Sequence, residues 1–116
     1  MIYPVCRNKV AFFTSYYMTV GNSIREQILL LKIKHGDVGA YAELYDVYVE
    51  PIYRYILFRV PSRELAEDTT SEVFLKAWEK LSGGNEVRNL RAYLYQIARN
   101  QIADYYRKDH QQTLPV

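Results

Sequence analysis

The sequence predicts an all-α fold, a compact bundle of four to five helices, and three observations carry that expectation. Apolar residues recur at three- and four-residue steps over most of the chain, the spacing that lines one face of a helix. Ser, Asp and Asn stand just ahead of these periodic stretches, with Gly or Pro just behind them, as helix caps and stops require. No segment alternates apolar and polar residues for long between turn signals, as a half-buried strand would.

The first helix is expected from Asn22 or Ser23, either a good N-cap, to His35, where Gly36 and Asp37 end it. Its core-facing residues are read as Ile24, Ile28, Leu31 and Leu30. The second begins near Asp37 and carries Tyr41, Leu44, Tyr45, Tyr48, Ile52, Tyr53, Ile56 and Leu57 in one stripe. Pro51 lies inside it. Proline has no amide hydrogen and crowds the preceding turn, so a kink or break near Val49 is expected.

"VPS" at 60–62 closes that segment, and Ser62 caps a third helix over Arg63 to Leu81. Its inward side is Ala66, Thr70, Val73, Phe74, Ala77, Trp78 and Leu81. Early acids Glu64, Glu67 and Asp68 suit the positive start of a helix, and Lys80 suits its end. "SGGNEVRN" makes a loop, after which Asn89 caps a last helix running to about Lys108. There Leu94, Ile97, Ala98, Ile102 and Tyr105 share one face, while Arg91, Tyr95, Arg99 and Tyr106 interleave elsewhere. Ordinary solvated faces favour Lys and Glu and leave few large aromatics in water.

Composition narrows the function classes. The chain has 116 residues, 49% hydrophobic and 24% charged, which suits one ordinary globular domain. Its single cysteine, Cys6, excludes an internal disulfide framework and leaves the reducing cytoplasm as the default compartment. "ILLLKI" is cut off by Lys32 and Lys34, far short of the run of about 20 apolar residues that a spanning helix needs, so no membrane insertion is expected. Near the start, Arg7 and Lys9 precede an apolar stretch in the manner of an export signal. Thr14, Ser15, Tyr16, Tyr17 and Thr19 make a poor hydrophobic region for one.

Catalysis finds no foothold, and no cofactor or metal is expected: His35 and His110 are isolated, Cys6 has no partner, and no Ser, His and acid set recurs at a recognisable spacing. Gly83-Gly84 lacks the lysine and flanking pattern of a phosphate loop and reads as a turn. The charges are unevenly spread. From 88 to 108, Arg88, Arg91, Arg99, Arg107 and Lys108 face a lone acid, Asp104; from 64 to 81, Glu64, Glu67, Asp68, Glu72 and Glu79 outweigh Lys76 and Lys80. Two surfaces for two kinds of partner are implied.

On the third helix, Asp68, Ser71, Glu72, Leu75 and Glu79 line up outward. An apolar residue among acids is either a small protein-binding patch with a polar rim or a scattered exposed leucine. On the fourth, arginines suit phosphates through forked donors and tyrosine rings suit unpaired bases. Asn85, Arg88 and Asn89 beside the glycine loop add groups able to read base edges. The competing reading is packing, since tyrosines number 12 in this chain.

Taken together, "HGDVGAYAELYDVYVEPIYRYILFRV", "AEDTTSEVFLKAWEKL" and "LRAYLYQIARNQIADYYRK" closely resemble region 2 of bacterial RNA polymerase sigma factors of the extracytoplasmic-function (ECF) group, a resemblance covering about residues 24–109. It implies the helical bundle of that family and a non-enzymatic role in transcription initiation: binding core RNA polymerase and recognising and melting the minus-ten promoter element. The third helix would dock on the β′ clamp helices through Asp68, Ser71, Glu72 and Leu75. The loop and fourth helix would engage the non-template strand of the minus-ten element, capturing a flipped base, through Asn85, Arg88, Asn89, Arg91, Tyr95 and Arg99.

Ser71 stands where the family commonly has Gln, a departure that by this resemblance is expected to weaken or reshape one clamp hydrogen bond. Tyr93 stands where it usually has Trp, and reads as core or loop support. The family's second domain, a helix-turn-helix reading the minus-thirty-five element, has no counterpart here; Val116 falls where a linker to it is expected. The alternative is therefore a standalone sigma-like module that binds the polymerase clamp or an anti-sigma factor without productive promoter recognition. The expected organisation is an atypical extension over 1–21, the helical domain over 22–110, and a polar tail or linker start over 111–116.

Overall fold

The computed structural model describes residues 23–113, with side chains to 109, and the aromatic-rich stretch over 1–21 lies outside them. Four helices follow one another: α1 (Ile24–Lys34), α2 (Val38–Leu57), α3 (Arg63–Ser82) and α4 (Leu90–Thr113). Among the described residues there is no strand, and no helix is long and apolar enough to cross a membrane. The all-α bundle is the expected one, at the lower of the expected helix numbers.

Local chemistry sets the helix ends. The side chains of Ser23, Asp37 and Ser62 accept from the amides of Glu26, Ala40 and Leu65 at 3.2, 3.1 and 3.1 Å, and Asn89 Oδ1 accepts from Ala92 at 3.0 Å. Each satisfies one of the orphan donors of a first turn. α1 and α3 both stop in the same way. The amide of Asp37 reaches the Lys32 carbonyl at 3.1 Å and that of Asn85 reaches Lys80 at 3.4 Å. The glycine between, Gly36 or Gly84, takes φ of 88° or 90°. These are Schellman stops, and only glycine adopts that backbone at no cost. A Cβ at Gly84 would meet nothing within 4 Å, so Gly84→Ala is expected to cost about 1–2 kcal/mol through backbone conformation alone, read by denaturant unfolding.

α3 is the centre of the bundle, packing on α2, α4 and α1. Its inward residues are those expected, with Thr69 added, while Trp78 is half-buried against the core. The buried Thr70 hydroxyl donates to the Ala66 carbonyl at 2.7 Å, so its burial leaves no orphan. α2 contributes Leu44, Tyr48, Ile52 and Ile56, and α4 contributes Leu90, Leu94, Ile97 and Ala98, with Ile102 partly buried beside them.

Three expectations are corrected. The inward face of α1 is Glu26, Leu29 and Ile33, with Leu30 partly buried; Ile24, Ile28 and Leu31 face outward at 79%, 50% and 58% exposure. The two faces lie about half a turn apart at roughly 100° per residue. The buried face puts Leu29 and Ile33 in the core, and from across the bundle the Tyr48 hydroxyl donates to Glu26 Oε1 at 2.6 Å. That pairs one oxygen of the buried carboxylate and leaves Oε2 without a partner among the described residues, while Arg25 pairs with Glu43 outside. Burial, then the bond to Glu26, pushes the Tyr48 phenol well above its ordinary value, so it stays a neutral donor.

The second correction concerns the expected break: α2 is one helix through Pro51 rather than two pieces. Proline removes one helical hydrogen bond, yet Tyr48 and Val49 before it and Ile52 and Ile56 after it are all buried, and that packing holds both halves in one helix. The third is that α4 continues past Lys108 to Thr113, taking in the start of the expected tail.

Candidate functional site

The outer face of α3 follows from its burial. With Ala66, Thr70, Val73, Ala77 and Leu81 turned inward, helical geometry turns Asp68, Ser71, Glu72, Leu75 and Glu79 outward, and all five are exposed. Leu75 has 51% of its surface in solvent. Its neighbour Lys76 reaches Glu72 at 3.9 Å, a solvent-exposed i,i+4 pair that holds the acid only weakly. The face is a single apolar side chain in an acidic rim, free to meet a partner.

The other face starts at the Schellman stop of α3 and continues along α4. Asn85 turns its amide nitrogen to the Lys80 carbonyl at 3.1 Å, leaving its own side-chain carbonyl outward. Asn89 does the opposite, since its Oδ1 is taken by the cap of α4 and its NH2 remains free. Both amides are thus half used by the backbone, which fixes their orientation and leaves one polar group of each for a ligand. Arg88, Arg91 and Arg99 are exposed. An open depression of about 440 Å3 is lined by Asn89, Arg91, Ala92 and Tyr95.

The aromatics are less free than their spacing suggested. Tyr95 is half-buried: its ring meets Tyr55 of α2 edge-on, with centroids 5.2 Å apart at 87°, and the Arg91 guanidinium lies 5.7 Å from its centroid. Tyr106 donates its hydroxyl to the Arg59 carbonyl at 2.8 Å and meets the Tyr105 ring at 4.9 Å. Tyr93 is half-buried against the core with Lys80 5.9 Å from its ring, and burial raises its phenol pKa. Sequence reasoning missed Tyr55 and Arg59, which reach this surface from the end of α2 and the turn after it. Their i,i+4 spacing was visible; their position beside α4 was not.

An all-α bundle with an acidic, leucine-bearing face on one helix and a basic, aromatic face on the next has the features of a binding module with two surfaces. The family model for Sigma-70 region 2 matches residues 44–112, and the chain belongs to that family. It is 38% identical over 87 residues to the ECF RNA polymerase sigma factor BldN of Streptomyces coelicolor, covering 74% of this chain and 33% of that protein. It is 33% identical over 66 residues to the ECF RNA polymerase sigma factor SigM of Bacillus subtilis, covering 57% of this chain and 40% of SigM.

Among solved structures, a chain of the RsbN-BldN complex matches with a TM-score of 0.61 and 37% identity, over 73% of this chain and 64% of that one. The matched stretch therefore spans a third to two fifths of these curated relatives.

Proposed function

We propose that this chain acts in the cytoplasm as the non-catalytic region 2 module of an ECF sigma factor, binding core RNA polymerase through α3 and melting the minus-ten promoter element through the loop and α4. Asp68, Ser71, Glu72 and Leu75 meet the β′ clamp helices. Asn85, Arg88, Asn89, Arg91, Tyr95 and Arg99 engage the non-template strand. The observation that carries this reading is the open depression at the start of α4, which has a free amide, a guanidinium and a tyrosine ring on its walls. A base leaving the stack costs a few kcal/mol, and an edge hydrogen bond, ring contact and phosphate pairing there offset that cost.

The test separates reading from holding. Asn89→Ser keeps an N-cap oxygen but lacks the NH2, and in complexes reconstituted with core polymerase it is expected to reduce discrimination between matched and scrambled minus-ten strands. Arg88→Gln and Arg99→Gln are expected to weaken both strands alike and to lower the salt slope by about 0.7 per single-strand phosphate contact removed. Equal losses on matched and scrambled strands for Asn89→Ser and Asn85→Ala would show that the loop positions the backbone and reads nothing.

A second reading, a standalone module that occupies the clamp or an anti-sigma factor without productive promoter recognition, draws support from the relative solved in complex with RsbN. It predicts polymerase binding with no promoter opening, measurable as the absence of permanganate-reactive thymines.

A further inference from the structure

On the surface shared by α2 and α4, four side chains form a continuous ladder. The Arg59 guanidinium lies 3.8 Å from the centroid of the Tyr55 ring. Tyr55 meets Tyr95 edge-on at 5.2 Å, and Arg91 closes the series 5.7 Å from the Tyr95 centroid. The ladder is held at its Arg59 end. Arg59 Nη1 donates to the Tyr55 carbonyl at 2.8 Å, and the Arg59 carbonyl takes the Tyr106 hydroxyl at 2.8 Å. Two phenol rings flanked by guanidinium groups suit a single strand of nucleic acid, with cations for phosphates and rings and guanidinium planes for bases.

Arg59 is exposed and has no acidic partner among the described ion pairs; Arg54, in the last turn of α2, is paired with Glu50 at 3.1 Å. The arginine on the ladder keeps its charge uncompensated, and the one off it does not. Exposed Phe58, at 76%, stands beside Arg59 in sequence and adds apolar surface at the same end of α2.

We infer that Tyr55 of α2 and Arg59 in the turn after it extend the nucleic-acid track, carrying the single-stranded nucleotides that flank the captured base on the side away from the Asn85–Asn89 loop. This rests on the proposed DNA role of α4 and adds a second helix to it. Arg59 neutralises a phosphate and offers its guanidinium as a stacking surface, while Tyr55 holds Arg59 and Tyr95 in line.

The test uses the full chain bound to core polymerase and a fluorescently labelled single-stranded non-template oligonucleotide, titrated over a range of salt. Arg59→Gln is expected to weaken binding roughly three- to tenfold and lower the salt slope by about 0.7, one phosphate contact. Arg59→Lys should restore the slope but only part of the affinity, because lysine keeps the charge and lacks the planar fork. Arg54→Gln should change neither by as much, and thermal unfolding of each variant separates a lost helix stop from a lost contact.

Trimming the oligonucleotide from one end should abolish the Arg59 effect, and trimming it from the other should not. If Arg59→Gln and Arg54→Gln behave alike while Arg91→Gln weakens binding, the extension onto α2 is wrong and the α4 reading stands. If Arg59→Gln, Arg91→Gln and Arg99→Gln all leave binding unchanged, the DNA face itself is overturned.

Discussion

Phe74→Ala is expected to destabilise the domain by about 3–5 kcal/mol, and Trp78→Ala by about 3 kcal/mol, the lower end of the range for such truncations because Trp78 is only half-buried. Phe74 has 4% of its surface exposed, and its ring meets Tyr45 edge-on with centroids 4.9 Å apart. Trp78, one turn on, tilts against Tyr41 at 5.2 Å. The Tyr41 hydroxyl donates to the Phe74 carbonyl at 2.5 Å, binding α2 to α3 through the backbone as well as through the rings. Burial pushes the Tyr41 phenol well above its ordinary value, which keeps that donor protonated.

A domain of this size has about 5–15 kcal/mol of stability in total. Either truncation should therefore lower the unfolding midpoint sharply, with the larger drop for Phe74→Ala. An unchanged denaturation midpoint for Trp78→Ala would remove that residue from the joint between α2 and α3.

The second large effect belongs to binding. Leu75→Glu is expected to weaken association with core polymerase at least tenfold while leaving thermal stability within about 0.5 kcal/mol of the parent, as for other exposed substitutions. Burying a leucine in a partner is worth about 1.5–3 kcal/mol, and a glutamate there adds an unpaired charge to a face already rimmed by Asp68 and Glu72. Leu75→Ala should give an intermediate loss, because it removes contact area without adding charge. Tight polymerase binding by Leu75→Glu would exclude this face as the clamp contact.

The two faces differ in how much of them the sequence disclosed. Leu75 and its acids were legible because α3 carries only one apolar stripe, so its outward residues follow from its inward ones. The asparagines were legible as polar loop residues, but their half-committed amides were not. The bond from Asn85 to Lys80 and that from Ala92 to Asn89 depend on the detailed end geometry of two helices. Tyr95 was read as facing solvent because its partner, Tyr55, lies far away in sequence and the two meet only when α2 packs on α4.

What the sequence determined by itself is local: four to five helices, a first cap at Asn22 or Ser23, the caps at Ser62 and Asn89, a second helix starting near Asp37, and stops at Gly36 and the Gly83-Gly84 turn. Each depends on hydrogen bonds that reach no more than about five residues along the chain. The phase of α1 was decided only by the tertiary structure. That helix offers Ile24, Ile28 and Leu31 on one side and Leu29 and Ile33 on the other, and periodicity scores both. The face that packs buries Leu29 and Ile33 in the core with Glu26 bonded to Tyr48, and Ile24 faces out. The same holds for Pro51, whose lost hydrogen bond is outweighed by burial on either side, and for the Arg59–Tyr55–Tyr95–Arg91 ladder. In each case the deciding partner sits on another helix, beyond the reach of any local pattern.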